Sequence, residues 1–244
     1  RSTPIKSSAA SDVYKRQFHQ DLHGFHLFTM SYPVRNVKGK SFELFGAEGP
    51  GTRRIWYHDS REKKGVDSMN NEVLEAMQMR RSIRSFKPDP VPEADLREIV
   101  KAGLYAASGR GSQDTIILAI TNPAMVKRLS RLNCEIGGWA PDFDPFYGAP
   151  AVLVVLAEKE RPTAVYDGSL VMGNLMLAAH SLGLGSCWIH RAKEEFDRPE
   201  GKALLKTLGI TGEYEGIGHC VVGYVEGDIP VAPLRKDHRV YWMK

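Results

Sequence analysis

Three arginines and a serine stand close together in the chain, at Arg80, Arg81, Ser82 and Arg84. The planar guanidinium group presents a fork of donors that matches phosphate oxygens, and a serine hydroxyl adds a further hydrogen bond. The Phe86-Lys87-Pro88 that follows indicates an extended segment, because proline disfavours helix in the residue before it. In such a segment Arg80, Ser82 and Arg84 share one face. The pattern predicts an anion-binding segment, and the alternative is a solvated basic turn.

The composition is that of an ordinary globular protein, with 42% hydrophobic and 25% charged residues. No apolar run approaches the roughly 18 residues of a membrane helix, and no signal peptide is evident. The cysteines (Cys134, Cys187 and Cys220) are odd in number and lack a CxxC spacing. We therefore expect a cytoplasmic protein with reduced thiols, no metal site and no membrane partner.

The net charge of +4 comes from the first part of the chain. Of the 33 Lys and Arg residues, 12 lie in residues 1–68 and 21 in residues 69–244. Of the 29 Asp and Glu residues, 7 lie in the first part and 22 in the second. The second part is therefore close to neutral. Its charge gives no reason to expect a nucleic-acid partner.

Residues 1–68 are predicted to be a non-native or disordered extension. Arg1–Gln17 looks like translated vector sequence, and residues 18–68 show no sustained helix or strand period. The codons of Lys63-Lys64-Gly65-Val66 can spell a bacterial ribosome-binding sequence that ends roughly eight nucleotides before the Met69 codon. We therefore expect a bacterial protein that starts at Met69. The alternative is a genuine disordered or partner-binding extension.

From Met69 onward the pattern becomes regular, and residues 69–244 are enough for one domain with a sizeable core. A short amphipathic segment precedes Arg80, and apolar periodicity predicts helices over 91–106, 123–132, 167–181 and 199–208. The predicted strands are 115–120, 151–156, 183–189 and 216–224. Asp167 is expected to cap the helix 167–181. Apolar residues occur nearly all the way around this helix, which predicts that it is buried on most sides.

Four motifs follow one another in this second part. The basic segment 80–86 is followed by the glycine-rich loop 107–113, then by the apolar helix that leads into Gly183–Ile189, and finally by Arg235. This order resembles the nitroreductase family of FMN flavoproteins, and the resemblance covers residues 69–244. No dinucleotide-binding fingerprint, P-loop, zinc helix or nucleophile elbow competes with it.

The resemblance implies an α+β fold with a central mixed β-sheet flanked by helices, built as an intertwined homodimer with two FMN molecules at its interface. It implies a ping-pong cycle in which NAD(P)H reduces the flavin and a nitroaromatic, quinone or similar small acceptor takes the electrons. No catalytic side chain is expected, since the flavin carries the redox chemistry. The alternatives are a specialised flavoenzyme of the same fold, such as a dehalogenase, dehydrogenase or flavin-consuming enzyme, or a non-catalytic FMN-binding protein.

The same resemblance assigns roles to individual residues. Arg80 and Ser82 match the pair that grips the FMN phosphate and ribityl end. Arg84 matches the basic residue beside flavin N1 and O2, where a cation stabilises the charge of the reduced ring. Arg235 matches a C-terminal arginine that reaches the phosphate, usually from the partner subunit. The expected cofactor-binding residues are Arg80, Arg81, Ser82, Arg84, Ser108, Gly111, Gln113, Trp188, Ile189, His190, Arg191 and Arg235.

Three of these positions depart from the family pattern. Gly111 stands where asparagine is usual, and His190 and Arg191 replace acidic or small residues near flavin N5. The electrostatics and the choice of acceptor are therefore expected to differ on that side. Four aromatic residues either wall the acceptor site or simply pack their loop onto the core: Trp139, Phe143, Phe146 and Tyr147.

Overall fold

The computed structural model of the chain describes residues 42–49, 52–59 and 71–244. The chain divides into two compact units, Arg1–Ser68 and Met69–Lys244. The predicted start at Met69 and the vector-like segment Arg1–Gln17 lie outside the described residues.

The first unit contains an antiparallel hairpin that the sequence pattern did not predict. β1 spans Phe42–Gly49 and β2 spans Thr52–Asp59, with Gly49 paired to Thr52 across the two-residue connection Pro50-Gly51. A short connection of proline and glycine between two runs with aromatic residues is the signal that was available. It was missed because neither run alternates strictly between apolar and polar residues.

Residues 71–244 form six α-helices around a four-stranded sheet. The helices are α1 (Glu72–Met79), α2 (Glu93–Leu104), α3 (Pro123–Gly137), α4 (Ala164–Ser181), α5 (Ala192–Asp197) and α6 (Pro199–Thr207). The strands are β3 (Thr115–Ile120), β4 (Ala151–Glu158), β5 (Gly185–Ile189) and β6 (Tyr214–Gly223). Within these described residues, no helix has the length and apolarity to span a membrane.

The strand order is β3-β4-β6-β5, and each neighbouring pair is antiparallel. The basic segment lies along the outer edge of β5, where Ser82 makes a parallel bridge to Ser186 and the Ile83 N–H donates to the Ser186 carbonyl at 2.9 Å. A second, antiparallel bridge joins Phe86 to Val225. The parallel contact makes the sheet mixed, and the predicted α+β class is confirmed.

The core lies on both faces of the sheet, and β4 is buried from Ala151 to Ala157 because layers cover it from two sides. One cluster joins alternate residues of β4, such as Val154, to Ile83 of the basic segment. The other joins the intervening residues, such as Leu153, to α4. The basic segment is therefore fixed to the sheet by its own apolar side chains.

α4 differs from its prediction in two ways. It begins at Ala164 after Thr163, so Asp167 is not its cap but lies in its first turn. Its burial is also one-sided. The fully buried positions Met172, Leu175 and Ala179 face the core, whereas Val165, Tyr166 and Leu170 are exposed on the chain taken alone.

Two other helices were predicted incompletely. α3 continues to Gly137 rather than ending near residue 132, and Gly138 closes it in the left-handed conformation (φ +65°). α5 was not predicted, since six residues are too few to show a helical period. The tail after Val225 is exposed along its length, as expected of a segment with no core of its own.

Candidate functional site

Arg80, Arg81 and Arg235 form a cluster of positive charge at the end of α1, where Arg80 caps the helix. Burial lowers the pKa of Arg81, and the nearby charges of Arg235 and Arg80 lower it further. Among the described residues, none of the three has a carboxylate within 4.0 Å. Like charges held together without a counter-charge repel one another, so the cluster favours an anionic ligand.

Two members of the cluster have different hydrogen bonding. The Arg81 Nη1 donates to the carbonyls of Gln78 and Arg80, both at 2.7 Å, and so braces the end of α1. The Arg80 Nη1 is buried and has no hydrogen-bond partner within the described residues. A buried charged donor without an acceptor is unfavourable. Arg80 is therefore the donor that a bound anion would satisfy.

Ser82 and Arg84 follow the arginine cluster along the edge of β5. Burial raises the pKa of the Cys187 thiol. Three neighbours act in the opposite direction and lower it, namely the charge of Arg84, a hydrogen bond from the Ser82 hydroxyl and the charge of Arg80. The three side chains that the sequence pattern put on one face therefore all lie near Cys187. Arg84 is exposed, while Arg80 and Ser82 are half-buried.

The loop from Ser108 to Gln113 is tied to the first turn of α4. The Gly109 N–H donates to Asp167 Oδ1 at 3.0 Å, and the Thr163 hydroxyl donates to Asp167 Oδ2 at 2.7 Å. The Gln113 N–H donates to the Ser108 hydroxyl at 3.0 Å. A Cβ at Gly109 would lie 2.6 Å from Thr163 Oγ1, so the loop can approach α4 this closely only with glycine there.

The same loop carries backbone strain. Arg110 (φ 57°) and Gln113 (φ 56°) adopt the left-handed conformation that residues other than glycine seldom take. Between them Gly111 has φ +67°, and a Cβ there would meet no atom within 4 Å. Glycine adopts this conformation without strain, and open space lies beside the loop at Gly111.

α4 separates the loop from the arginine cluster. Asp167 in its first turn holds the loop, and His180 in its last turn lies near the cluster, since burial and then the charges of Arg80 and Arg81 lower the His180 pKa. The helix rises about 20 Å between Asp167 and His180, at about 1.5 Å per residue. A single chain therefore does not bring the two parts of the predicted site together.

The end of β5 contributes backbone and aromatic surface. Trp188 is half-buried, and its indole Nε1 is buried without a partner in the described residues. The Ile189 side chain is buried in the core, so only its backbone is available to a cofactor. His190 is exposed, with its ring 5.9 Å from that of Trp188, and its carbonyl accepts from Asn133 Nδ2 at 2.7 Å.

Arg191 and the aromatic loop lie together. The Arg191 guanidinium carbon stands 4.2 Å from the centre of the Trp139 ring, a cation–π contact. Trp139 packs edge-on against Phe143 at 5.1 Å, and Phe143 against Tyr147 at 6.1 Å. Phe146, in contrast, is buried in the core, so it packs the loop against the core and does not line an acceptor site.

Two buried residues beneath this region had no sequence signal. His219 and Glu195 are both fully buried, with Nε2 and Oε2 2.8 Å apart. Glu195 lies in α5, which begins directly after Arg191, and its N–H donates to the Arg191 carbonyl at 3.0 Å. The pair therefore anchors α5 to β6 and fixes the end of β5.

A cavity of about 230 Å³ lies elsewhere, between α3 and the region of α5 and α6. Its walls are mostly apolar and include Leu129, Phe196 and Leu204 but none of the predicted cofactor-binding residues. It does not coincide with the arginine cluster, so the cavity is not the candidate site.

Comparison with known proteins gives a consistent result. The sequence model of the nitroreductase family matches residues 77–136 and 139–224. A Methanothermobacter thermautotrophicus protein assigned as an NADH dehydrogenase/NAD(P)H nitroreductase is 32% identical over 53% of this chain and 66% of its own length. An Archaeoglobus fulgidus protein with the same assignment is 30% identical over 57% of this chain and 77% of its own. A crystal structure of a nitroreductase with bound FMN from Bacteroides fragilis aligns with a TM-score of 0.66 at 28% identity, over 72% of this chain and 100% of that one.

Proposed function

Because this chain belongs to the nitroreductase family, we propose that it is an FMN-dependent oxidoreductase that passes electrons from NAD(P)H to a small acceptor. NAD(P)H supplies two electrons and a proton as hydride, and the solvent supplies a second proton. A quinone acceptor would leave as the hydroquinone, and a nitroaromatic acceptor as the nitroso compound and water.

The observation that carries this proposal is the buried, unpartnered Arg80 Nη1 within a cluster that has no carboxylate among the described residues. A phosphate monoester carries up to two negative charges and three acceptor oxygens, which suits two or three convergent guanidinium groups. Arg80 and Arg235 would hold the FMN phosphate, and Ser82 the adjoining ribityl chain. Arg81 would support them by bracing α1.

Bound FMN would supply the redox chemistry, and the chain's residues would orient it and adjust its charge. Arg84 would stabilise negative charge at N1 and O2 of the ring, since a fixed cation favours the reduced form. The backbone of Trp188 to Arg191 would cover the opposite part of the ring near N5. Neither role requires a side-chain acid or base.

A homodimer would complete the site. α4 holds the loop 108–113 at one end and lies near the arginine cluster at the other, so we infer that the partner subunit brings its own loop to this cluster. Exposed apolar surface supports such an interface. It includes Leu74 and Met77 of α1, Tyr166 and Leu170 of α4, and Trp242 of the tail.

We place the protein in the cytoplasm. Cys134, Cys187 and Cys220 are free and buried, which suits a reducing compartment. Both proposed donors, NADH and NADPH, are also intracellular metabolites.

The experiment is an anaerobic one on the purified full-length protein. Its visible spectrum and the flavin released on denaturation should show about one FMN per chain. NADH or NADPH should bleach the flavin band under nitrogen, and addition of a quinone or nitroaromatic should restore it. A colourless protein that does not take up FMN would contradict the proposal. A yellow protein that neither donor reduces would indicate a non-catalytic FMN-binding protein instead.

A further inference from the structure

Arg191 places an unpaired positive charge on an exposed aromatic surface. Within residues 71–244, its guanidinium has no carboxylate within 4.0 Å and makes no hydrogen bond. Its partner ring, Trp139, is 38% exposed, and the adjoining Phe143 is 40% exposed. Partly exposed rings beside a half-buried cation without a counter-charge form a surface suited to an aromatic anion.

The conformation of Arg191 is strained and firmly held. Its φ of 77° lies in the left-handed region, which is unfavourable for a residue with a Cβ. Asn133 fixes the preceding carbonyl, and Glu195, itself paired with His219 in the core, fixes the carbonyl of Arg191. Such a conformation persists where the surrounding structure imposes it. The turn therefore directs the Arg191 side chain toward the aromatic loop.

The contact leaves the hydrogen-bonding edge of the guanidinium available. The guanidinium carbon lies over the Trp139 ring, and among residues 71–244 none of its N–H groups has a hydrogen-bond partner, so they can bind a carboxylate through two parallel hydrogen bonds. The two loop carboxylates do not compete. Asp144 accepts from the N–H groups of Phe146 and Gly148 at 2.9 and 2.7 Å, and Asp142 makes no ion pair with Arg191 within residues 71–244.

We propose that the acceptor site selects planar aromatic compounds that carry a carboxylate. The ring would pack on Trp139 and Phe143, and the carboxylate would bind the edge of the Arg191 guanidinium. This inference rests on the proposed function, since the position of Arg191 at the end of β5 puts it beside the flavin only if FMN binds as described. Arg191 is then a residue that determines acceptor specificity, and it takes no part in electron transfer.

The test uses ligands that cannot be reduced. Oxidised holoenzyme is titrated with benzoate and with benzamide, which has the same shape and no charge, while the flavin absorption band is followed. We expect benzoate to bind roughly tenfold more tightly, the effect of one charge-assisted contact at a half-exposed site. Arg191→Gln should abolish this preference, and Arg191→Lys should retain part of it. Arg198→Gln removes the same charge at the other end of α5 and should leave the preference unchanged.

A second measurement separates this inference from the proposed function. The FMN content of each variant is determined first, and flavin reduced with dithionite is then mixed with 4-nitrobenzoate or 4-nitrobenzamide in a stopped-flow instrument. A protein without FMN contradicts both proposals. Holoenzyme that treats the charged and uncharged compounds alike, or a preference that survives Arg191→Gln, overturns the acceptor inference and leaves the flavoenzyme standing.

Discussion

Asp167, in the first turn of α4, accepts a hydrogen bond from the Gly109 N–H at 3.0 Å and so ties the strained loop 108–113 to the longest helix of the described chain. The carboxylate is buried, and its second oxygen accepts from the Thr163 hydroxyl. One side chain thus holds a loop that was expected to contact the cofactor.

Replacing Asp167 with alanine should release this loop. The half-buried Gly109 N–H and Thr163 hydroxyl would lose their acceptor, so the free energy of unfolding should fall by about 1 kcal/mol per lost hydrogen bond. Urea unfolding followed by circular dichroism measures the loss. Faster proteolysis near Arg110 would show where the chain has opened.

Asp167→Asn is the control, because it keeps one oxygen that can accept from Gly109. It should cost less than Asp167→Ala and leave the cleavage near Arg110 slow. If both variants unfold like the original chain, Asp167 does not hold the loop.

Cys220 gives a prediction about pH. Full burial raises its pKa to about 12, whereas an exposed cysteine has a pKa of about 8.5. Above about pH 8.5 the unfolded chain releases this proton and the folded chain keeps it. The contribution of Cys220 to the free energy of unfolding is therefore fully present below about pH 8.5. It is lost as the pH rises toward 12, by up to about 1.4 kcal/mol per pH unit.

Urea unfolding between pH 7.5 and 10.5 should show this loss as a difference between two proteins. The original chain should lose stability more steeply above pH 8.5 than Cys220→Ala, which has no thiol to titrate at that position. Parallel curves for the two would mean that the thiol titrates alike in the folded and unfolded chain.

A chain that starts at Met69 tests the prediction made for residues 1–68. We expect it to fold, dimerise and bind FMN like the full chain, because the family match and the predicted cofactor-binding residues all lie after Met69. Light scattering and FMN titration measure both properties. Loss of soluble protein or of dimer on this truncation would show that the first unit belongs to the native molecule.

The arrangement of the basic segment could be predicted from the sequence, because successive side chains of an extended chain point to opposite faces. Arg80, Ser82 and Arg84 were put on one face by that rule, and all three lie near Cys187. The buried strands and long helices were likewise predicted from apolar runs and periodicity, with errors of a few residues at their ends.

Features that depend on contacts distant in sequence were not readable. The His219–Glu195 pair joins residues 24 apart through a helix too short to show a period, and the Asp167–Gly109 bond joins residues 58 apart. Asp167 was misread as a cap because aspartate near a helix start usually caps it. The exposed apolar residues of α4 were predicted to be buried, since apolar positions nearly all round a helix usually indicate burial on most sides.

Arg84 tests the proposed position of the flavin ring. Arg84→Gln keeps a hydrogen-bond donor but removes the charge that would stabilise reduced FMN. We expect a lower FMN midpoint potential, by an amount on the order of tens of millivolts for a contact worth about 1.5–3 kcal/mol, and only a modest loss of FMN affinity. Spectroelectrochemistry gives the potential, and an unchanged value would mean that Arg84 does not face the ring.

The central claim is that the arginine cluster binds the phosphate of FMN, and the affinity for FMN compared with riboflavin tests it most directly. Arg80→Ala and Arg235→Ala should each weaken FMN binding by roughly ten- to a hundredfold, as expected for one charge-assisted contact. The double variant should not be additive, since both residues act on one group. Riboflavin lacks the phosphate, so its affinity should barely change in any variant. If riboflavin binding falls as much as FMN binding, the two arginines support the fold instead, and their assignment to the FMN phosphate is wrong.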